Sequence, residues 1–407
     1  MSQLTASPRG AKLPGEFRYL WSANLIATLG DGVLVAAIPL MAAALTDDPQ
    51  LVAGVAVATT APWLLLSLVG GVMVDRYDRR WLMTWAQVTQ AVLAAAAAAV
   101  IMLDLAELWM LYVLAFGIGA AETLFTGASQ AFVPTLVGRD RLEAANGQII
   151  TVQTVSKQFA GPPLGAALFA FAMPFPFWLN AATFAVSVLL IARIRPAGPP
   201  PRPAGRGSVG AEIAEGLRWL ARHRLPRVLT LASGAANFCE YIALSVMVLF
   251  ATQVLGLDER GFGVLLGSMA VGGVIGGLVS GRVVARFGGR PVAIVTLATC
   301  PLMWLGIGFV GRDAVTVVAF FVVFSIAISL WSVVALSVRQ RMIPDELLGR
   351  VTSASRMISF GAIPLGSLVG GYIAKHFGLI APWLVGGALS LCVTLLALPA
   401  LVRWEDH

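Results

Sequence analysis

The sequence contains few charged residues and little that could hold a metal ion. Charged side chains account for 12% of the 407 residues and hydrophobic ones for 58%, whereas a soluble globular domain has about 25% charged residues. The cysteines, Cys239, Cys300 and Cys392, show no paired spacing, so we expect neither a disulfide framework nor a zinc site. The phosphate-binding pattern Gly-x-x-x-x-Gly-Lys-Ser/Thr is absent, which excludes an ATP-driven pump, and we expect no cofactor.

Long apolar runs recur along the whole chain. A bilayer core about 30 Å thick needs about 20 apolar residues per helix, and breaks in apolar character return at that spacing. Helices are expected because backbone groups in lipid must be satisfied within the segment, and the runs are too uniformly apolar for barrel strands. We predict twelve spans, at 19–45, 52–74, 81–103, 108–132, 146–171, 175–193, 228–253, 261–284, 291–310, 314–336, 354–374 and 381–402.

The basic residues are distributed unevenly between the predicted connections. Of the 28 lysines and arginines, Arg260, Arg312 and Lys375 fall on one side of the membrane, Lys157 lies in a span, and the other 24 fall on the opposite side. Cytoplasmic loops are rich in lysine and arginine, so we predict an inner (plasma) membrane protein with both termini in the cytoplasm. This placement explains the net charge of +7 without a nucleic acid partner.

An internal repeat divides the chain. A shift from residue 71 to residue 281 aligns "GVMVDRYDRR" with "GRVVARFGGR", and the same shift pairs Gln130 with Gln340 and Pro134 with Pro344. These ungapped matches indicate duplication of a six-span unit. We therefore predict an N-terminal half (1–194), a cytoplasmic linker (195–227) and a C-terminal half (228–407).

The linker contains a segment with helical periodicity. Within "AEIAEGLRWLARHR", Ile213, Leu217 and Leu220 share one face, as in an amphipathic helix at the inner membrane surface. A solvated linker helix is the alternative.

The first copy of the repeat resembles the cytoplasmic loop signature of the major facilitator superfamily, Gly-x-x-x-Asp-Arg-x-Gly-Arg-Arg. The matching residues are Gly71, Asp75, Arg76, Arg79 and Arg80, and Asp78 replaces the second glycine. "DRYDRR" and segment 339–371 are similar to the drug:proton antiporter branch, which includes macrolide and tetracycline exporters and the enterobactin exporter. The resemblance covers essentially the whole chain.

The resemblance implies an all-α membrane protein with twelve transmembrane helices in two pseudo-symmetric six-helix halves. It also implies a secondary transporter, not an enzyme: a proton-coupled exporter of drugs, macrolide-like compounds or siderophores that works by alternating access. A proton-coupled symporter and a lipid exporter of the same fold are alternatives. We expect a monomer whose partners are a small-molecule substrate, protons and the lipid bilayer.

A membrane-embedded prenyl-transfer enzyme is a remote alternative. Asp75 and Asp78 have the Asp-x-x-Asp spacing that could hold magnesium diphosphate. However, the adjacent arginines would repel the metal, and the sequence has no second aspartate cluster. We therefore expect no metal site.

Segment 161–166, "GPPLGA", in the fifth span resembles the antiporter motif Gly-Pro-x-x-Gly-Gly. Gly161, Pro162 and Gly165 match this motif, whereas Ala166 departs from it. Pro162 and Pro163 remove backbone donors and bend the helix, and the small residues permit close helix packing. The simpler interpretation is a proline kink with no influence on the direction of transport.

Four charged residues lie deep in predicted spans, where charge is costly and indicates function. Asp31 and Glu240 lie about 18 Å from the starts of their helices, near the midplane, and are our first and second candidates for the proton carrier. Glu122 and Lys157 complete the set, and Lys157 could pair with Glu122 or with Asp31. The alternative is that these acids fix helix packing without titrating.

Several polar and aromatic residues could line a substrate cavity. Asn24, Gln153 and Asn237 could hydrogen-bond a substrate, and Trp331 could stack on an aromatic or cationic one. Each could instead join neighbouring helices.

In the superfamily, the charged loop meets the start of the eleventh span, here near 350–356. Asp75 could accept hydrogen bonds from the free backbone donors of that helix, which makes the loop a latch that closes the cytoplasmic side. Arg76, Arg79 and Arg80 are expected to pair with acids such as Asp78 or Glu143. The alternative is an anchor that only fixes topology.

Overall fold

The computed structural model describes residues 14–137, 141–195 and 209–402, which form helices and short connections without a strand. Two π-helical segments interrupt the α-helices, Thr154–Ala160 and Phe250–Val254. In chain order the α-helices are α1 (Gly15–Leu45), α2 (Pro49–Arg76), α3 (Arg79–Met102), α4 (Leu108–Val137), α5 (Leu142–Gln153), α6 (Gly161–Phe171), α7 (Phe175–Ala192), α8 (Val209–Arg222), α9 (Arg224–Leu244), α10 (Met247–Leu249), α11 (Glu259–Phe287), α12 (Gly289–Val310), α13 (Ala314–Met342), α14 (Asp345–Phe377) and α15 (Ala381–Val402).

The helices fit the predicted spans. Ten described helices are long and apolar enough to cross a membrane, and α9 with the segment Met247–Val254, bent by 41°, makes an eleventh. The remaining predicted span, 146–171, corresponds to α5, the first π-helical segment and α6, which follow one another without a break. With this passage included, the described helices are consistent with the twelve spans expected from the sequence.

The two ends of the helix bundle differ in charge. We call the end that carries Arg76, Arg79 and Arg80 the arginine-rich end, and the end that carries Asp48 and Lys375 the arginine-poor end. Helices α1–α7 form a first group, in which α1 packs on α6 and α7, and α9–α15 form a second group, in which α11 packs on α13. The groups meet chiefly where α2 packs on α14 and α6 packs on α11.

Buried apolar residues are shared by the two groups at the arginine-poor end. One cluster runs from Leu34 and Met41 of α1 to Trp304 and Trp383 of α12 and α15, whose ring centroids lie 5.5 Å apart. At the arginine-rich end, one cluster belongs to α1–α5 and α7, and another to α9, α12, α13 and α15. The groups therefore share their apolar core at the arginine-poor end.

Polar contacts reinforce this closure. Lys375 Nζ, in the last turn of α14, donates to Asp48 Oδ2 over 2.6 Å, and Gln253 Nε2 donates to Asp47 Oδ1 over 2.9 Å. A Cβ atom on Gly371 would lie 3.0 Å from the Gln50 Cα atom, so α14 and α2 approach each other closely here.

The linker helix α8 packs against the start of α14. Leu220 is buried with Val351 and Ala354, and Glu215 forms an ion pair of 2.5 Å with Arg350. The sequence predicted an apolar face that lies on the membrane surface or belongs to a solvated linker helix. In the structure this face packs on the start of α14. Ile213 lies outside the described side chains.

Candidate functional site

The four charged residues of the spans lie at one depth. Asp31, Glu122, Lys157 and Glu240 each lie within one residue of the middle of their helical passages, Gly15–Leu45, Leu108–Val137, 142–171 and 224–254. Helix lengths of about 30 residues place these side chains about 22 Å from either helix end. The structure therefore puts all four at the centre of the bundle.

Lys157 forms an ion pair with Glu122, which resolves the alternatives that the sequence left open. The Lys157 side chain is nevertheless 33% exposed and that of Glu122 is 19% exposed, so protein atoms cover the pair only in part. An internal charge that can meet solvent is able to exchange protons and partners.

Asp31 is the buried member of the cluster. It is 9% exposed, and its Oδ1 atom has no hydrogen-bond partner among the described residues. Both Lys157 and Glu122 are close enough to interact electrostatically with it. Two carboxylates thus face one ammonium group, which can neutralise one of them at a time.

Glu240 stands apart from this cluster. The groups that interact with its charge are Tyr241, beside it on α9, and Cys300 of α12. Tyr241 also interacts with the charge of Lys157. Tyr241 of the second helix group thus lies near Lys157 of the first.

Glycines allow the backbone of α1 to touch the chain that carries Lys157. A Cβ atom on Gly32 would lie 2.7 Å from the Ser156 carbonyl oxygen and 2.8 Å from the Lys157 Cα atom. A Cβ atom on Gly161 would overlap Gly32, and one on Gly165 would overlap the Val33 carbonyl. The antiporter-like motif therefore packs directly beside Asp31, a contact that the sequence alone did not predict.

The π-helical segment Thr154–Ala160 lies immediately before Gly161, Pro162 and Pro163. Successive prolines remove two backbone donors and clash with the preceding turn, so the chain widens there instead of continuing as an α-helix. Single π-helical turns are frequent at functional sites. Here the widened turn carries Lys157.

The proposed cavity residues occupy different surroundings. Asn24 is fully buried and donates to the Leu20 carbonyl and to Ser129 Oγ, so in this structure it joins α1 to α4. Trp331 is 7% exposed and donates to Ser233 Oγ. Asn237 is half-buried and donates to the Ser359 carbonyl over 2.8 Å, and Gln153 is half-buried at the end of α5.

The charged loop is held by backbone carbonyls. Asp78 caps α3 by accepting from the Trp81 amide, whereas Arg79 donates to the Ala131 carbonyl of α4 and Arg80 donates to the Ala192 carbonyl of α7. Among the described side chains, Arg79 and Arg80 therefore bond to helix carbonyls and not to the expected acids. Arg76 is exposed and Gly71 lies in α2, whereas the side chains of Asp75 and Glu143 lie outside the described ones.

Comparison with known proteins decides the family. Residues 12–406 match the family described as transmembrane secretion effector, a branch of the major facilitator superfamily. The chain belongs to this family. It is 28% identical over 401 residues to the multidrug efflux pump Tap of Mycolicibacterium fortuitum, with 93% of each chain covered. It is 27% identical over 396 residues to the enterobactin exporter EntS of Shigella boydii, with 93% of this chain and 91% of the relative covered.

Solved structures show the same fold. A mutant form of the nucleoside transporter NupG superposes with a TM-score of 0.77 at 12% identity, covering 96% of this chain and all of the other. A bacterial homologue of the iron transporter ferroportin, in an inward-facing state, superposes with a TM-score of 0.69 at 17% identity, covering 98% of this chain and all of that one. The chain is thus a multi-pass membrane transporter with the major facilitator fold, as the sequence predicted.

Sequence reasoning missed the contact between Asp48 and Lys375. The signal was present, because Lys375 is an isolated cation on the side that has few basic residues. Asp48 precedes Pro49, a pattern typical of a helix start, and its carboxylate accepts from the Gln50 amide. What the pattern could not supply was the proximity of two helix ends 327 positions apart.

Proposed function

We propose that this major facilitator transporter is a proton-coupled exporter in which Asp31, Glu122 and Lys157 form the coupling site. The observation that carries the proposal is a buried carboxylate, Asp31, with an unpartnered oxygen beside the ion pair of Lys157 and Glu122. With both acids ionised the cluster has one surplus negative charge, and a proton removes it. Because a surplus charge is costly at this depth, proton occupancy alters the energy of the arrangement.

Proton movement would be linked to substrate movement through the antiporter-like motif. On one side, Gly161 and Gly165 lie against α1 next to Asp31. On the other side, the Cγ atom of Pro163 would lie 3.3 Å from a Cβ atom on Gly267 of α11. A change of charge at Asp31 therefore acts on the interface where the two helix groups slide past each other in alternating access.

We further propose that the structure represents the inward-facing state. The positive-inside rule places the arginine-rich end in the cytoplasm of a cell with this protein in its inner membrane. The shared apolar core and the ion pair of Asp48 and Lys375 close the opposite end. The two halves, 1–194 and 228–407, would rock about the central site to reverse this arrangement.

The relatives support export over import. One is a multidrug efflux pump and another an enterobactin exporter, so we propose that the substrates are drug-like compounds or siderophores. Glu240, which has its own surroundings on α9, would be the second site where protonation affects transport.

The coupling site is tested by the substitution Asp31→Asn. Cells that express or lack the protein are challenged with a panel of toxic compounds, with and without a protonophore, to find a substrate. Its efflux is then measured in vesicles with an imposed pH gradient. We expect Asp31→Asn to abolish gradient-driven efflux while the protein still inserts, whereas Asp313→Asn, an exposed acid of the α12–α13 connection, leaves it unchanged. Gradient-driven efflux at the wild-type rate in Asp31→Asn would show that the coupling assignment is wrong.

The charged loop is proposed as a latch for the outward-facing state. Asp75→Asn would then lower turnover with normal insertion, because the neutral side chain binds the positive end of α14 less strongly. An anchor role predicts unchanged transport in the same assay.

A further inference from the structure

A cavity of about 290 Å³ lies at the arginine-poor end, away from the coupling site. Its walls come from α1, α3, α4 and α7, with Leu45, Ala97, Leu111 and Phe177 among the lining residues. The α3 wall includes Ala96 and Ala97 from the run of six alanines at 94–99, whose short side chains leave the space unfilled. The volume is close to the lower limit of small-molecule sites, about 300–1,000 Å³.

The cavity contains a single charge at its edge. Among the residues that line it, Glu107 alone is charged, and its Oε2 atom accepts a hydrogen bond of 2.7 Å from Trp109 Nε1. The C-terminal end of α3 and the N-terminal end of α4 lie side by side here, so their helix dipoles offset each other. The Glu107 carboxylate therefore sets the electrostatic character of the opening.

One aromatic side chain, Trp109, contacts this charge, and a second, Trp178, contacts Met102 at the end of α3. Trp109 is 56% exposed on α4, and Trp178 is 42% exposed on α7, where its Nε1 atom lies 3.1 Å from the Met102 Sδ atom. Indole faces attract organic cations, and tryptophans are typical of the boundary between membrane and water. An apolar space thus opens beside an acidic edge that carries Trp109.

We propose that this cavity binds a lipophilic organic cation, with its ammonium group at Glu107 and Trp109 and its apolar part between α3 and α4. A phospholipid fits less well, because its phosphate would meet Glu107 with no basic residue among those that line the cavity. Leu114, the lining residue nearest to the cluster along its helix, lies eight residues before Glu122 on α4, about 12 Å away. The site is therefore distinct from the proton-coupling cluster, and its occupancy can be measured without an ion gradient.

The proposal is tested by photolabelling of the purified protein in lipid nanodiscs. The probes are an alkyltrimethylammonium ion with a diazirine in its chain, the uncharged alcohol of the same chain length, and a diazirine phosphatidylcholine. Labelled peptides are identified by mass spectrometry. We expect the ammonium probe to label segments 93–101 and 106–114, and unlabelled alkyltrimethylammonium to displace it.

Four variants separate charge from shape. Glu107→Gln keeps an acceptor for Trp109 but removes the charge, and we expect it to lower ammonium labelling by about two- to five-fold. Asp313→Asn removes an exposed acid at the same end and should change nothing. Ala97→Phe fills the cavity and should abolish labelling there, and Ala96→Phe, at a more exposed lining position, repeats the test if the first variant folds poorly.

Two results would overturn the proposal. One is ammonium labelling spread over other segments. The other is equal labelling of these segments by all three probes with no effect of Glu107→Gln, which would identify an ordinary crevice filled by lipid chains.

Discussion

Lys375 Nζ lies 2.6 Å from Asp48 Oδ2, and this contact joins the last turn of α14 to the residue that caps α2. The two residues belong to different helix groups, so they can stay paired only while the arginine-poor end is closed. The same Asp48 carboxylate accepts from the Gln50 amide over 2.9 Å. One acid thus stabilises both a helix start and a closed conformation.

Acid should weaken this closure. The hydrogen bond from Lys375 lowers the pKa of Asp48 below its ordinary value. The pKa of Asp48 is thus lower in the closed conformation than its usual value of about 4. The ion pair therefore stabilises the closed conformation fully above about pH 4, and this stabilisation is lost as the pH falls through the lowered pKa. Because both side chains are partly exposed, we expect a contribution of at most about 1 kcal/mol, or a five-fold change in the closed population.

The measurement is an electron paramagnetic resonance distance between spin labels at Leu51 and Phe377, both exposed. The wild-type distance distribution should broaden below about pH 4. Asp48→Asn retains a helix-capping side chain, so it should start more open and respond less to acid. Identical acid responses in the two proteins would contradict the assignment.

Gly165→Ala should impair both folding stability and transport. Its new methyl group would overlap the Val33 carbonyl oxygen and force α6 away from α1 beside Asp31. Overpacking of this kind costs about 1–3 kcal/mol, measurable as a lower unfolding temperature in detergent. Gly147→Ala on α5 is the matched control, because nothing lies within 4 Å of its added Cβ atom, and helix propensity alone should make it neutral or slightly stabilising.

Lys157→Met should destabilise the protein more than the double variant Glu122→Gln/Lys157→Met does, because the single change leaves two carboxylates without their cation whereas the double change leaves only Asp31. Removing one partner leaves a charge in the interior, which costs about 3–5 kcal/mol when burial is complete. Since the Glu122 side chain that is left behind is 19% exposed, we expect about 2 kcal/mol. A thermal unfolding cycle of the wild type, both single variants and the double variant measures the coupling, and a value near zero would mean that the pair contributes nothing.

The spans and the depth of the charged residues were predictable, whereas the partners were not. Apolar runs and the position of Asp31, Glu122, Lys157 and Glu240 within them are local properties of the chain. The pairing of Lys157 with Glu122 depends on how α4 packs beside the π-helical turn. The two residues are 35 positions apart, so no local pattern in the sequence reports their contact. The turn itself was not predicted, although Pro162 and Pro163 were the signal for it.

The linker gives a second example. The periodicity of Leu217 and Leu220 predicted an apolar face, and the structure contains it. Periodicity does not say which surface covers that face. Here the start of α14 does so, because Val351 and Ala354 offer an apolar patch and Arg350 offers a partner for Glu215.

The shared apolar core has a consequence for how the protein can be studied. Trp304 and Trp383 belong to a cluster that includes residues of both helix groups. If the arginine-poor end opens, that cluster must divide, and the apolar surface it loses also supports the folded state. The melting temperature should therefore differ between the conformations in which the arginine-poor end is closed and open. A ligand that binds one of these conformations can then be found by the melting temperature alone.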